Sequence, residues 1–251
     1  MAVKEQSLPI ITSFEQEKEV MERFIKQKAK TSNHQDALKI LEAGCGREWI
    51  LDLDPVPYSL TGVDLDADAL NHRQTSVKDL DKGIVGDLRS VELENNEYDI
   101  IFNAYVLEHI KQAESVLENF QQWLKPDGLL ILQFPDRNSV YGFLTRFTPH
   151  WIHVLYVRYL SPWKNEDAGS AGHGPYPTFH EPVVSRDGIQ EFCRKNNLSI
   201  EAEYGSNRYI AESSGIKALL IQSIVRLVRI MSFGSLEDRY NNLLYVVRKA
   251  E

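Results

Sequence analysis

LKILEAGCG, Leu38 to Gly46, is the stretch on which the reading of this chain turns. Leu38, Ile40 and Leu41 form a short apolar run that stops at Gly44-Cys45-Gly46. That pattern predicts a buried strand running into a glycine turn. It is answered by TGVDLD, Thr61 to Asp66, where a second apolar strand over Tyr58 to Val63 ends on Asp64. Glycines let a backbone approach a ligand closely, and an acid at the end of the second strand can accept hydrogen bonds from ribose hydroxyls. The pair therefore fits a nucleoside-bearing cofactor. The longer dinucleotide pattern GxGxxG is broken, since Trp49 stands where its third glycine would fall.

Working outward, Asp66 to Leu80 predicts a helix with acids at its start, where they oppose the helix dipole favourably. A short strand at Gly83 to Val85 leads into Gly86-Asp87-Leu88. Tyr98 to Asn103 is a further strand, Val106 to Leu124 reads as a helix, and Lys125-Pro126-Asp127-Gly128 as a turn. Leu129 to Phe134 is a fully apolar strand stopped by Pro135-Asp136. Apolar strands alternating with helices predict a parallel sheet covered on both faces, with ligands beyond the carboxyl ends of the strands. Gly44, Asp64, Asp87, Asn103 and Asp136 all fall at such ends. Between the first two strands, Pro55 and Pro57 forbid a long helix.

Upstream, Ser13 to Lys30 carries an apolar stripe of Phe14, Val20, Met21, Phe24 and Ile25, with Ser13 and Gln16 as capping partners. Downstream the alternation stops. Thr148-Pro149 opens a helix over His150 to Leu160, and Ser161 to Pro182 is a long loop rich in glycine, proline and aromatics. Ser185 caps a helix to Asn196, and a strand follows over Leu198 to Tyr204. Ser213 to Phe233 holds a strongly apolar helix, and Asn242 to Arg248 a last strand. The organisation expected is an N-terminal helix and linker (1–37), a cofactor-binding core (38–136), a cap (137–184) and a C-terminal part of the core (185–251), which carries a helical insertion near 213–234.

The 251 residues are 43% hydrophobic and 25% charged, enough for one sizeable core. A formal charge of −8 argues against a nucleic-acid partner, which needs a basic footprint. Cys45 and Cys193 lack metal-site spacing, no membrane span or signal peptide is evident, and the expected setting is a reduced cytoplasm.

As an ordered set, LKILEAGCG, GVDLD, GDLRSVEL, YDIIFNAYVLEHI and LKPDGLLILQFPD resemble the class I S-adenosylmethionine-dependent methyltransferases over roughly 38–136. The resemblance implies a Rossmann-like, doubly wound α/β fold. Its seven-stranded, mostly parallel sheet would carry an inserted helical cap. It also implies S-adenosylmethionine as cofactor and S-adenosylhomocysteine as product. By position, Glu42, Gly44 and Gly46 match the strand-turn at the cofactor's methionine end. Asp64 matches the ribose-binding acid and Leu65 packs beside the adenine. Asp87 and Leu88 match the pair flanking that ring, and Asn103 and Ala104 the strand end beside the sulfonium. Glu48 stands where the family often has a further glycine.

Methyl transfer from a sulfonium needs alignment and, for a hydroxyl acceptor, a base. The candidates are His180, with Glu181 adjacent, His109 in AYVLEHI, and His153, one helical turn from His150; His173 lies in the same loop as His180. No third ligand accompanies the His150–His153 pair, so no metal is expected. The aromatic cap favours a small organic acceptor, most simply methylated on oxygen. Two alternatives stay open: a non-methylating role for the same fold, as rearrangement catalyst or binding module, and methylation of a lipid-linked acceptor at a membrane surface. Gln222, Arg226 and Arg229 make a polar stripe on the helix 216–233, which suits a buried cap, a homodimer interface or anionic headgroups.

Overall fold

The computed structural model describes residues 8–31, 37–160, 165–169, 174–211 and 215–250. One eight-stranded sheet runs through it. Its strands are β1 (Ile10–Ile11), β2 (Leu38–Ala43), β3 (Tyr58–Asp64), β4 (Lys82–Val85), β5 (Tyr98–Ala104), β6 (Leu124–Pro135), β7 (Leu198–Ser206) and β8 (Asn242–Lys249), in the spatial order β1-β7-β8-β6-β5-β2-β3-β4. All neighbouring pairs are parallel except the two made by β8. The eighth strand is β1, a two-residue parallel edge on β7 that is too short to leave a periodicity in the sequence.

The helices are α1 (Phe14–Thr31), α2 (Ala67–His72), α3 (Ala113–Trp123), α4 (Val140–Phe147), α5 (His150–Leu155), α6 (Arg186–Lys195), α7 (Arg208–Ala211) and α8 (Gly215–Met231). Strand residues alternate between two cores. Met21 and Ile25 of α1 pack with Ile40, Leu60, Ile100, Ile131 and Val246 on one face. Val116, Leu117 and Phe120 of α3 and Ile189 and Phe192 of α6 pack with Leu41, Ile101, Leu132 and Tyr245 on the other. Each such apolar side chain contributes about 1.5–3 kcal/mol when fully buried. Ser13 and Ser185 cap as expected, Ser13 Oγ accepting from Gln16 N and Ser185 from Gly188 N, whereas Gln16 Oε1 accepts from Thr12 N rather than Ser13 N; Asp66, expected as an acid at a helix start, caps α2 by accepting from Asp68 N and Ala69 N.

Several helix bounds differ from the expectation. The stretch expected as one helix from Val106 to Leu124 is a 3-10 turn at Leu107–His109, then a break at Gln112 with φ 62°, then α3. The Asp66–Leu80 helix gives way at Arg73–Val77 to a π turn closed by Lys78 with φ 63°. The helix after Thr148 starts with Pro149 at the cap position and passes into a π turn at Tyr156–Leu160. Lys125–Gly128 forms an irregularity inside β6 rather than a turn before it, because Tyr98 pairs with Leu124 and Ile100 with Leu129.

The crossover from β2 to β3 contains no helix. Side chains tie it down instead. Trp49 N donates to Asp79 Oδ2 (2.9 Å) and Asp52 N to Glu22 Oε1 (2.8 Å). Leu51 and Leu53 are buried, and the Trp49 indole meets Phe102 edge-on at 5.5 Å. Among the described residues no helix is long and apolar enough to cross a membrane.

Candidate active site

From β2 the chain proceeds outward through β3 and β4, whereas β5 and β6 lie on the opposite side of β2. This reversal opens a crevice at the carboxyl ends of β2 and β5, the place where ligands bind in such sheets. Gly44 turns there with φ +75°, and a Cβ on it would lie 2.3 Å from Val106 Cγ2. Only glycine fits that close approach. Gly46, φ +53°, has nothing within 4 Å of its own Cβ direction, so that side of the turn is open to a ligand. Asn103 Nδ2 donates to Ala43 O (2.8 Å) and ties β5 to β2 across the crevice, while its buried Oδ1 makes no hydrogen bond.

Beneath the turn sits a group that sequence reasoning missed. Arg73, fully buried, donates from Nη1 to Glu42 Oε2 (2.6 Å) and Cys45 O (2.8 Å), and from Nε to Asp79 Oδ1 (3.0 Å). It thereby joins β2, the glycine turn and the end of the π turn. Glu42 is buried and points at this arginine. Burial pushes its carboxyl up, to about 8, against the pull of the Arg73 guanidinium. No periodicity announces an arginine that folds inward from a six-residue helix followed by a π turn. The one trace in the sequence is an acid in an otherwise apolar strand, which needs a cation once buried.

Asp64 faces the turn. Its Oδ2 accepts from Gly46 N (2.9 Å) and its Oδ1 from Asp66 N (2.9 Å). Leu65 stands 72% exposed beside it, an apolar shelf of the kind a flat ring covers. Asp87 accepts from Arg89 N, Nε and Nη2, and Arg89 holds its carboxyl below the usual range. Leu88 is buried, so its side chain belongs to the α3-side core and not to the crevice. Ala104 ends β5, and the next residue, Tyr105, takes the left-handed conformation at φ 58°.

The described part of the long loop lies against this rim. Phe179 N donates to Glu108 O (2.7 Å), and His109 Nδ1 lies 2.9 Å from Pro177 O. That contact fixes Nδ1 as the protonated nitrogen and leaves Nε2 as the acceptor. The Tyr176 ring stands edge-on to His109 at 5.8 Å, and burial, then the carboxylates of Asp66 and Asp64, raise its phenol. Burial pushes the Glu108 carboxyl up to about 8.

The three candidate bases occupy different settings. His109 is half-buried under the loop, and burial lowers it from its ordinary value. His180 is 2% exposed, with φ 46° and Nε2 at 3.3 Å from Thr145 Oγ1. Burial, with His109, Arg146, Arg137 and His153 around it, takes it down to about 4, which leaves a neutral ring of low basicity. Glu181 does not face His180; its Oε2 accepts from Ala113 N (3.1 Å) at the start of α3. His153 sits on α5 with its ring 6.4 Å from that of His150. His173, read above in the same loop as His180, lies outside the described residues. Among the described residues no group of three or more His, Cys, Asp or Glu side chains is placed to hold a metal ion.

Residues 14–203 match the family described as "Methyltransferase domain". A ubiquinone biosynthesis O-methyltransferase of Maricaulis maris is 27% identical over 184 residues, 66% of this chain and 71% of that protein. One from Chelativorans sp. is 30% identical over 154 residues, 55% of this chain and 59% of that protein. Among solved structures, a Listeria monocytogenes protein classed as an S-adenosylmethionine-dependent methyltransferase superposes with a TM-score of 0.54 at 14% identity, over 93% of this chain and all of the other. That last likeness is one of fold.

Proposed function

The chain belongs to the methyltransferase-domain family as a class I S-adenosylmethionine-dependent enzyme, and from that premise we propose that it methylates a hydroxyl oxygen of a small organic molecule. In this reading Gly44 and Gly46 cradle the cofactor's methionine end, Asp64 takes the ribose hydroxyls, Leu65 underlies the adenine, and Asp87 exchanges part of its contact with Arg89 for the exocyclic amine. Asn103 and Ala104 border the sulfonium. Glu42 and Leu88 support this site from below. The bound cofactor supplies a methyl group already activated for in-line displacement. The residues around it align an acceptor oxygen, exclude water under the 174–182 loop and take up the acceptor's proton.

The observation that carries the reading is His109. Its ring is held on the 3-10 turn after β5 by Pro177 O, edge-on to the Tyr176 ring, with Nε2 left as a proton acceptor 3.8 Å from Glu108 Oε1. His180 and His153 then act as packing and positioning groups around it. The Maricaulis and Chelativorans relatives are O-methyltransferases by name, which favours oxygen as the acceptor atom, while a Caenorhabditis elegans relative 23% identical over 157 residues is named a sterol 4-C-methyltransferase. Incubation with S-adenosylmethionine and a panel of hydroxylated metabolites should give a product one CH2 heavier, with the methyl on oxygen by carbon NMR. His109→Ala should lower kcat by about 100-fold or more, the usual worth of a positioned base. A methyl on nitrogen or carbon, or full activity of His109→Ala, contradicts the reading.

A second reading, in which the acceptor arrives from a lipid surface, is favoured by α8. Leu219, Ile224, Leu227, Ile230 and Met231 are all exposed and share one arc of the helix, with Arg226 and Arg229 along its edge. An apolar arc bordered by arginines suits anionic headgroups. Vesicles containing phosphatidylglycerol should co-sediment the protein, and Leu227→Glu with Ile230→Glu should abolish this. Equal sedimentation of that variant removes the reading.

A further inference from the structure

Beside His109, the cap brings basic side chains to the acceptor end of the site without the acids that usually neutralise them. Arg137 follows the end of β6, and Arg146 lies in the last turn of α4. Both are half-buried, so each keeps part of its surface open to solvent. Among the described residues neither makes an ion pair. Arg146 is held by aromatic rings instead, its guanidinium 5.3 Å from the centre of the Phe147 ring and 6.0 Å from that of Phe143. A guanidinium held in this way keeps N–H donors for a carboxylate, which its planar fork matches in geometry.

Hydrogen bonds tie these cations to the base. Thr145, next to Arg146, has its Oγ1 3.3 Å from His180 Nε2. His180 N and Phe179 N both donate to Glu108 O, one residue before His109. Arg137 N donates to Val184 O, four residues after His180. Lys111, which is exposed, adds a third cation over the Phe179 ring at 4.9 Å. The charges around His180 agree in sign: after burial, His109, Arg146, Arg137 and His153 all push its ring down, so the field there is positive. Burial and then Arg146 lower the Arg137 guanidinium, and Asp136 and Glu181 offset this only in part. Those two acids are engaged with the backbone, Asp136 Oδ1 accepting from Asn138 N (2.9 Å) and Glu181 Oε2 from Ala113 N (3.1 Å). Glu108, its carboxyl pushed up to about 8 by burial, adds no charge at neutral pH. Two guanidiniums that repel one another are relieved by an anion bound to both.

We propose that Arg137 and Arg146 bind a carboxylate of the acceptor, so that the molecule methylated is a hydroxy acid whose hydroxyl faces His109; this rests on the methyl-transfer reading above. Carboxylate and guanidinium pair through two parallel hydrogen bonds, which fixes the direction of the acceptor as well as its charge. Aromatic surface accompanies both ends of the path, Tyr176 and Phe179 beside His109 and Phe143 and Phe147 beside Arg146, which suits an aryl ring between the two functions. The two arginines are specificity residues in this scheme and take no part in the transfer of the methyl group or the proton.

Probes that share a phenol and differ in the opposite group separate the alternatives: 4-hydroxybenzoate, 4-hydroxybenzyl alcohol, 4-hydroxybenzylamine and 4-hydroxyphenyl phosphate. Their affinities are read by calorimetry on the full chain saturated with S-adenosylhomocysteine. The benzoate should bind at least about tenfold more tightly than the alcohol or the amine, the worth of one charge-assisted hydrogen bond. Arg137→Gln and Arg146→Gln should each remove most of that preference while leaving affinity for the alcohol unchanged, and Arg146→Lys should restore part of it. Equal affinity for benzoate, alcohol and amine, or an unchanged preference in both glutamine variants, overturns the proposal. So does an equal loss for benzoate and alcohol, because the arginines would then be structural. Tighter binding of the phosphate than of the benzoate overturns the assignment to a carboxylate. If one variant fails to fold, the other is read in its place, and the wild-type order of probes stands as a test by itself. Failure of S-adenosylhomocysteine to bind would sink the underlying reading as well, whereas cofactor binding with indifferent probes sinks this inference alone.

Discussion

Arg73→Leu should destabilise the fold by about 3–5 kcal/mol at pH 9, the loss expected when one partner of a buried ion pair is removed and the other left in place. Leucine would refill part of the volume, but Glu42 Oε2 and Cys45 O would lose their donor and Asp79 would keep only Trp49 N. The effect should depend on pH in a definite direction. Burial already raises Glu42, to about 8, and its contribution to stability is lost as pH rises toward that value. Without Arg73 the carboxyl rises further. Wild type stops losing stability once Glu42 ionises in the folded state, whereas the variant goes on losing it, so the gap widens above about pH 8. Denaturant unfolding at pH 6 and pH 9 reads both effects. A loss under about 1 kcal/mol, or a gap that narrows at pH 9, would show that Arg73 does not hold the glycine turn.

Asp64→Ala should weaken S-adenosylmethionine by about 100-fold. A carboxylate accepting from ribose hydroxyls makes charge-assisted bonds worth about 1.5–3 kcal/mol each, and 1.4 kcal/mol is a factor of ten. The same carboxylate also orders the turn through Gly46 N and Asp66 N, so part of the loss comes from the loop. Asp64→Asn separates the two contributions. It keeps one oxygen acceptor and removes the charge, and should fall between wild type and Asp64→Ala.

The core of the fold could be read from LKILEAGCG and the strands after it because each strand is mostly apolar and ends on a residue with a reason to be there. Gly44 has a left-handed backbone pressed against Val106, Asp64 has amides to accept, and Asn103 has Ala43 O to bind. The absence of a long helix between the first two core strands was also legible, from Pro55 and Pro57. What stayed hidden depends on contacts between residues distant in sequence. Arg73 reaches back to Glu42, and Ser206 meets Glu17 only once β7 and α1 are packed. His180 looked suited to proton transfer because imidazole next to glutamate is a familiar pairing. In the fold Glu181 turns to the start of α3, and His180 is a buried neutral ring near Arg146 and Arg137. Helix breaks at Arg73 and Gln112 were invisible for a similar reason, since the propensities are helical and tertiary packing overrides them.

The most direct test of the whole account is calorimetric titration of S-adenosylmethionine into wild type and Asp64→Ala under the same conditions. The account predicts one site in wild type, with affinity about 100-fold weaker in the variant and the fold of both intact by circular dichroism. No heat in wild type, or equal affinity in the two proteins, would contradict it.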